Sequence, residues 1–370
     1  MKVAIVTDWL TTFGGAERVV KEVSNLYPDA PIYTSQYSEK QVDWFKDCDV
    51  RTGWLNIFPA SFRKLLSPLR AIYFSCLKLD GYDLVISIVC GESKGLRKRE
   101  GQTHIAYLQG PPTQYYWGMH DYYLQNPGFG KMNWLVRPFF RLFTGIMRKT
   151  DFALAQRPDF LFTNSTYSAK ECEKYYDRSA SVVFPPVNTD KFKMTKEKEG
   201  FFFTTSRQVN WKRLDIAVQA CIKTGDRLML IGDGAEHGKL VKLAEGHDNI
   251  EFVPVVANVD ELVSVVSKAK GCLFPSLEPF GITPIESLSL GAPVIALKAG
   301  GALDYIQDGK NGIFFNEQTV ESMVKAIAKF KKTKFNPKVV SDSAKKFSYD
   351  NFRKEFKKVV NTCIKNLPNS

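Results

Sequence analysis

The sequence predicts an α/β protein with two doubly wound domains, each a parallel sheet covered by helices on both faces. Short, entirely apolar runs alternate along the chain with segments of helical periodicity. Strands that are buried on both faces have this continuous apolar character. The alternation occurs in two series, and the polar stretch 188–200 separates them. We therefore expect two domains, residues 1–190 and 191–345, joined by a linker.

The first series predicts a helix at 16–27 and strands at 3–7, 83–89, 103–108, 159–163 and 181–184. The second predicts helices at 214–223, 260–267 and 284–290 and strands at 201–205, 227–231, 250–253, 271–274, 293–296 and 312–315. We expect residues 346–370 to form a C-terminal helix that packs back toward the first domain. Two facing domains of this kind create a cleft at the carboxyl ends of their sheets, where we expect the chemistry.

The composition is that of a soluble globular protein, with 370 residues, 44% of them hydrophobic and 24% charged. The apolar N-terminal run is too short for a signal peptide, and the chain lacks the run of about 18 apolar residues that a membrane span requires. Seven scattered cysteines and four histidines show no metal-ligand spacing. We therefore expect a cytoplasmic protein with no bound metal.

The net charge of +12 is concentrated near the C-terminus, since residues 319–370 carry 13 basic and 4 acidic side chains. Such a basic segment suits an acidic membrane surface or a nucleic acid. The alternative is that these lysines are solvated on helix faces. No nucleic-acid-binding motif accompanies the charge, so we expect no nucleic-acid partner.

A glycine pair follows the first predicted strand. Gly14 and Gly15 permit a tight turn into a helix, whose free N–H groups form a potential anion site. A purely structural turn is the alternative. No G-x-G-x-x-G follows this strand, and Gly232-Asp233-Gly234, after a later strand, lacks the third glycine. A dinucleotide-dependent dehydrogenase is therefore disfavoured.

Charged residues follow two strands of the second series. Arg207 and Lys212 come after the strand at 201–205, at a spacing that allows them to bracket a diphosphate. Glu278 and Glu286 flank a predicted helix start, where each carboxylate can bind a pair of hydroxyls and the free N–H groups a phosphate. These groups together suit a nucleotide sugar. The alternatives are solvated surface cations and a capping box between Glu286 and Thr283 as N-cap.

Glu278 and Glu286 form an E-x7-E pair, and it occurs in order with further short motifs. These motifs are Gly14-Gly15-Ala16-Glu17-Arg18, Asn164-Ser165, Pro185-Pro186-Val187, Arg207…Lys212, Ile231-Gly232-Asp233-Gly234, Gly300-Gly301 and Asp308-Gly309. In this order they resemble the retaining glycosyltransferases of family four, which have the GT-B fold. The resemblance implies two Rossmann-like doubly wound domains that face a central cleft, with the acceptor on the N-terminal side and the nucleotide sugar on the C-terminal side.

The resemblance also implies roles for single residues. Arg207 and Lys212 would stabilise the departing diphosphate, Glu278 would hold the hydroxyls of the transferred sugar, and Glu286 the ribose diol. The remaining donor contacts would come from Gly15, Val253 near the base, Phe280, Gly281, Ile282 and Thr283. The acceptor hydroxyl would attack from the front face and pass its proton to the phosphate, without a metal ion.

Within the family, the chain looks most like bacterial mannosyltransferases of O-antigen or similar surface polysaccharides. This likeness implies transfer of mannose from GDP-mannose to a saccharide that can be lipid-linked. A UDP-hexose donor is the alternative. Related sequences usually carry a His after the strand at 103–108, where this chain has Gln109. Gln109 can bind a sugar hydroxyl but cannot shuttle a proton, so a catalytically silent subunit is a further alternative.

Two aromatic segments extend the expected acceptor side. Tyr115, Tyr116, Trp117 and His120 predict either a platform on which sugar rings stack or a packed loop. Residues 134–149 predict an amphipathic helix with a basic face. Plain core packing is the favoured interpretation of this helix, and contact with an anionic membrane, at the inner face of the plasma membrane, is the alternative.

Overall fold

A computed structural model describes residues 1–12, 14–112, 116–125, 132–195, 197–256 and 258–365. The chain forms two compact units, an N-terminal unit of Met1–Pro186 with Phe352–Ser370 and a C-terminal unit of Val187–Asn351. The sequence placed these boundaries at 190 and 345.

The N-terminal unit is built on a parallel sheet of seven strands, in the order β3-β2-β1-β4-β5-β6-β7. The strands are β1 (Val3–Thr7), β2 (Ile32–Thr34), β3 (Val50–Thr52), β4 (Leu84–Val89), β5 (Thr103–Leu108), β6 (Phe160–Thr163) and β7 (Ser181–Val182). Its helices are α1 (Gly15–Leu26), α2 (Ser67–Cys76), α3 (His120–Gln125), α4 (Asn133–Ala155) and α5 (Thr166–Tyr176). Every residue of β4 and β5 is buried, because helices cover this part of the sheet.

The C-terminal unit contains a second parallel sheet, in the order β10-β9-β8-β11-β12-β13. Its strands are β8 (Phe201–Thr205), β9 (Arg227–Ile231), β10 (Ile250–Val253), β11 (Gly271–Phe274), β12 (Val294–Leu297) and β13 (Gly312–Phe315). Its helices are α6 (Leu214–Thr224), α7 (His237–Leu243), α8 (Val259–Val266), α9 (Ile282–Ser289), α10 (Val320–Lys332) and α11 (Pro337–Asp342). The prediction of two Rossmann-like domains with parallel sheets is confirmed.

The final helix, α12 (Tyr349–Lys365), contributes to the core of the N-terminal unit. Phe352 and Phe356 are buried, and both rings pack against Tyr107 of β5. On the same helix, Arg353 Nε donates a hydrogen bond of 2.7 Å to the carboxylate of Glu22 on α1. The core of this unit therefore depends on residues from both ends of the sequence.

Helix α4 contradicts the expectation of plain core packing. Its inner face buries Thr144, Met147 and Leu154, among others. Its apolar side chains outside this face are exposed, with Trp134 at 72% and Leu142 at 71% of their surface accessible. Helical periodicity predicts that a helix has an apolar face, but not whether protein or another medium covers that face.

One buried histidine lies at the start of β5. His104 is 1% exposed, its Nε2 lies 2.7 Å from Ser87 Oγ, and its Nδ1 has no hydrogen-bond partner among the described residues. Burial lowers the pKa of His104 to about 3; Asp159 acts against this shift, and Lys98 and Arg178 act with it. The ring is therefore neutral in the folded protein at neutral and mildly acidic pH.

We predict that His104 makes the fold sensitive to acid. Between about pH 6.5 and pH 3, the unfolded chain binds a proton at this residue that the folded chain does not, so stability falls as the pH falls. The native chain should lose up to about 1.4 kcal/mol of unfolding free energy per pH unit more than a His104→Gln variant. Urea denaturation at several pH values measures this difference.

The exposed His247 provides the matched control. A His247→Gln variant should follow the pH dependence of the native chain. Equal losses of stability in the native and His104→Gln proteins on acidification would contradict the prediction that His104 makes the fold sensitive to acid.

Candidate functional site

The charged residues predicted for the second domain lie at the point where the strand order of the C-terminal sheet reverses. Strands β8 and β11 are neighbours there, although β9 and β10 lie between them in the sequence. The connections after β8 and β11 leave the sheet in opposite directions, which opens a crevice at the carboxyl ends of these strands. Arg207 follows β8 and is exposed. This edge of the sheet is where a ligand of an open α/β domain usually binds.

Lys212 and Glu278 form an ion pair at this point. Lys212 closes the short 3-10 turn Asn210–Lys212 after β8, and Glu278 lies in the loop after β11. The Lys212 ammonium donates to Glu278 Oε1, and the two side chains are only 12% and 15% exposed. The ammonium also lies 4.3 Å from the ring centre of Trp211. The sequence located both residues but did not predict their pairing.

Two glycines fix the backbone of the Glu278 loop. The N–H of Gly301 donates a 2.9 Å hydrogen bond to the carbonyl of Glu278. A Cβ on Gly300 would lie 2.4 Å from that carbonyl oxygen, and a Cβ on Gly301 would lie 2.4 Å from the Cα of Phe280. The hydroxyl of Tyr305 donates to the Phe280 carbonyl at 2.9 Å. The Gly300-Gly301 pair therefore determines where the Glu278 loop runs.

Helix α9 begins earlier than the sequence predicted. Gly281 is its N-cap, with φ +93° and no side-chain capping bond, so the predicted capping box at Thr283 is wrong. Thr283 lies inside the first turn and its hydroxyl donates to the Thr205 carbonyl at 2.9 Å. Glu286 lies on this helix and is 7% exposed, while Phe280 before the helix is 3% exposed. The backbone N–H groups around Gly281 and Ile282 remain the candidate phosphate ligands of this helix.

The ends of β9 and β10 lie beside this point. Gly232 has φ +130°, a Cβ on it would lie 2.2 Å from the Ser206 carbonyl oxygen, and its N–H donates to the Val253 carbonyl. The buried Gln208 donates through its side-chain amide to the Gly232 carbonyl at 2.8 Å. Val253, expected near the base, is half-buried at the end of β10.

The N-terminal unit has a matching reversal of strand order between β1 and β4. Asp8 follows β1, and its carboxylate accepts hydrogen bonds from four backbone N–H groups of the loop after β4, those of Cys90, Gly91, Glu92 and Ser93, at 2.7 to 2.8 Å. The sequence contains Asp8 in the first turn, but nothing in it indicated this role.

Gln109 lies beside the start of α1. Its side-chain amide donates a 3.0 Å hydrogen bond to the carbonyl of Ala16, in the first turn of the helix that begins at Gly15. Its own carbonyl accepts from Asn164 Nδ2 at 2.6 Å. The structure therefore brings two predicted site residues of this unit, Gln109 and Gly15, close together.

The predicted aromatic platform does not hold at Tyr116. This ring is 3% exposed and its hydroxyl bonds to Ser67, which leaves no open face for a sugar. Trp117 is half-buried and donates from Nε1 to Asp151 at 2.7 Å, and His120 stacks on Phe140. Tyr115 lies outside the described residues. Tyr116 is therefore packed into the unit, whereas Trp117 and His120 are half-buried and His120 begins α3.

The described ranges contain neither a metal cluster nor a membrane span. No group of three or more His, Cys, Asp or Glu side chains there is arranged to hold a metal ion. In the same ranges, no helix combines the length and the apolar character that crossing a bilayer requires.

The fold is that of the GT-B glycosyltransferases. Two solved structures with this arrangement cover almost the whole chain. HepE of Anabaena in complex with UDP covers 98% of this chain and 100% of its own, with a TM-score of 0.68 and 16% identity. The lipopolysaccharide outer core galactosyltransferase WaaB covers 98% and 99%, with a TM-score of 0.72 and 17% identity. At these identities the likeness establishes the fold.

Residues 187–348, which make up most of the C-terminal unit, match the family described as glycosyl transferases group 1. The alpha-1,3/1,6-mannosyltransferase ALG2 of Dictyostelium discoideum is 29% identical over 252 residues, 56% of this chain and 59% of that protein. A glycogen synthase of Pseudomonas aeruginosa is 28% identical over 144 residues, 37% of this chain and 28% of the synthase. The matched regions thus span less than two thirds of these curated relatives.

We predict that Gly300 is required for the Glu278 loop. Gly300→Ala adds a Cβ at φ +64° and against the Glu278 carbonyl, whereas Gly309→Ala adds one at φ +79° in open space. The control substitution should cost about 1–2 kcal/mol of unfolding free energy, the usual cost of a left-handed alanine. Gly300→Ala should cost clearly more, because the loop must also move. Equal losses in chemical denaturation would contradict this.

Proposed function

We propose that the protein is a retaining hexosyltransferase that moves mannose from GDP-mannose to a saccharide acceptor. The observation that carries this proposal is the Lys212–Glu278 ion pair at the reversal point of the C-terminal sheet. It places a cation suited to a phosphate beside a carboxylate suited to sugar hydroxyls, in a unit that matches a glycosyltransferase family. Neither group alone distinguishes a sugar nucleotide from another anion.

In the proposed reaction, the donor diphosphate competes with Glu278 for Lys212. The Lys212 ammonium is mostly buried and is held in place by its ion pair with Glu278. It therefore needs little reorganisation when it turns to the phosphate. The exposed Arg207 adds a second cation from the same loop, and the N–H groups at the start of α9 add neutral donors. Glu278, released from Lys212, then accepts hydrogen bonds from hydroxyls of the transferred sugar.

Stabilisation of the leaving diphosphate is the main electrostatic contribution in this scheme. The acceptor hydroxyl attacks the anomeric carbon on the face from which the diphosphate leaves, and its proton passes to a phosphate oxygen of that leaving group. The cations and backbone N–H groups perform the charge stabilisation that a divalent ion performs elsewhere. We therefore propose that the reaction requires no metal. Glu286 binds the ribose diol in this proposal.

The choice of donor rests on relatives. The mannosyltransferase ALG2 supports mannose, whereas the complexes of HepE with UDP and with UDP-glucose support a UDP-hexose as the second candidate. The acceptor in our proposal is a lipid-linked or free saccharide of a cell-surface polysaccharide such as O-antigen. Peripheral contact with the inner face of the plasma membrane belongs to the same proposal.

A catalytically silent subunit is the candidate from another class. Its support is Gln109, whose amide is engaged by the Ala16 carbonyl and cannot carry a proton. The complete set of Arg207, Lys212, Glu278 and Glu286 favours the enzyme.

We predict that Glu278→Ala abolishes sugar transfer but not nucleotide binding. The substitution removes hydrogen bonds to a charged group worth about 1.5–3 kcal/mol each, so the transfer rate should fall by about a hundredfold or more. Affinity for GDP should stay equal or rise, because Lys212 loses its competitor. Radiolabelled transfer assays and calorimetry measure the two effects. Full transfer activity in this variant would contradict the proposed site.

The exposed Glu245 offers a matched control. Glu245→Ala removes the same chemical group from the same unit and should leave both transfer and GDP affinity unchanged. Weaker GDP binding by Glu278→Ala would indicate that the carboxylate supports the phosphate site instead of the sugar.

We predict that the protein binds GDP-mannose more tightly than UDP-hexoses and hydrolyses it slowly, with chelator present. Calorimetry and a hydrolysis assay against GDP-mannose, UDP-glucose and UDP-galactose test the donor. Preference for a UDP-sugar would change the proposed donor and leave the proposed site unchanged. Binding without turnover, even with acceptors, would favour the silent subunit, and loss of turnover with chelator would contradict metal independence.

A further inference from the structure

Two segments of the sequence contain no acidic residue over unusual lengths. Residues 50–79 and 122–150 are the longest intervals of the chain without Asp or Glu, and they carry ten basic residues between them. The first interval contains α2 and the second contains most of α4. Both belong to the N-terminal unit.

The first interval exposes a row of apolar side chains. Phe62, Leu65, Leu69 and Ile72 recur every three or four residues and are 47%, 53%, 38% and 57% exposed. The opposite side of α2 buries Arg70, Ala71 and Phe74, among others. The exposed row therefore forms one face of this segment, directed away from the core.

The second interval repeats the pattern on a longer helix. In α4, Leu135, Phe139, Leu142 and Ile146 follow helical spacing and are 46%, 59%, 71% and 58% exposed. Of the 23 large apolar side chains that are exposed in the described part of the chain, 13 lie in these two intervals. Scattered exposure of this kind is normal, but such concentration marks an interaction surface.

The two helices are neighbours that are held from below by buried ion pairs. α2 and α4 contact each other, and both contact the short turn Ser93–Gly95. Arg70 of α2 pairs with Glu92, and Asp151 of α4 pairs with Lys94, with all four side chains at most 2% exposed. Buried ion pairs thus lie on the side of these helices that faces the protein, and exposed apolar side chains lie on the side that faces away from it.

We infer that the exposed faces of α2 and α4 together form a docking surface for an anionic lipid bilayer. Its apolar side chains would enter the boundary between headgroups and acyl chains, and the basic residues beside them, Arg63, Arg137, Arg141 and Lys149 among others, would contact lipid phosphates. Trp54 and Trp134, 49% and 72% exposed, have the side chain that is most favoured at that depth.

The charge of this surface favours an anionic bilayer as its partner over a second copy of the chain. Two copies that met through this surface would bring basic residues together with no acidic residue from either interval to neutralise them. An anionic headgroup layer supplies that neutralisation across the whole surface. The inference extends the contact proposed for α4 to a two-helix surface, and it does not depend on the transfer reaction.

Flotation of the full chain with vesicles tests the surface. Vesicles of phosphatidylcholine alone are compared with equal mixtures of phosphatidylcholine and phosphatidylglycerol, without any sugar nucleotide. Two pairs of substitutions test the two helices: the α2 pair combines Leu65→Glu, just before α2, with Ile72→Glu on it, and the α4 pair combines Leu142→Glu with Ile146→Glu. Val241→Glu with Val339→Glu is the matched control, because these side chains are exposed to 44% and 48% in the C-terminal unit.

The native chain and the control should float with the mixed vesicles only, and each helix pair should reduce the bound fraction by about tenfold. Arg137→Glu with Arg141→Glu should lower binding by about fivefold for each basic residue removed. Melting temperatures close to that of the native chain would show that the variants fold. Undiminished binding of the α2 pair, or equal binding to both kinds of vesicle, would overturn the inference.

Sedimentation velocity without lipid examines the competing occupant. The native chain should sediment as a monomer. A dimer that either helix pair dissociates would overturn the assignment to lipid, and it would identify the surface as a contact between copies.

Discussion

Much of the N-terminal unit depends on the hydrogen bonds between the Asp8 carboxylate and the loop after β4. Four backbone N–H groups converge on it, and they fix the loop after β4 against the end of β1. Glu92 and Lys94, in or next to this loop, hold α2 and α4 through buried ion pairs. Such pairs add little net stability, but they define geometry, because a misplaced partner leaves a buried charge. One side chain therefore positions the loop at the carboxyl ends of β1 and β4 and, through that loop, the helices α2 and α4.

The sequence predicts most strands of both sheets well, but it misses two short strands, β2 and β3. β1, β5 and β8 have the predicted bounds because their side chains are buried on both faces and read as continuous apolar runs. β2 and β3 were missed because each has three residues, too few for any periodicity. The helix of residues 134–149 was predicted as an element, but its environment was not. Periodicity contains no information about what lies against an apolar face.

For the candidate site, the sequence identified residue types and positions but not their mutual contacts. Arg207, Lys212 and Glu278 were found because cations and carboxylates follow strands at a predicted crevice. The ion pair between Lys212 and Glu278 joins residues 66 positions apart, a distance that no local pattern encodes. The expected cap at Thr283 failed for a similar reason, since its hydroxyl bonds to the distant Thr205 carbonyl. Tertiary hydrogen bonds overrode local preference in both cases.

The position of α12 also constrains the order of events during synthesis. The C-terminal unit is continuous in sequence and can fold as soon as residues 187–351 have left the ribosome. The N-terminal unit emerges first, yet its core lacks Phe352, Phe356 and Val360 until the whole C-terminal unit has been synthesised. The sheet of the N-terminal unit thus keeps an uncovered apolar surface while the sheet of the C-terminal unit, which is synthesised later, folds completely. Chaperone demand should therefore arise from the N-terminal unit, and removal of α12 should damage the sheet that is synthesised before the C-terminal unit.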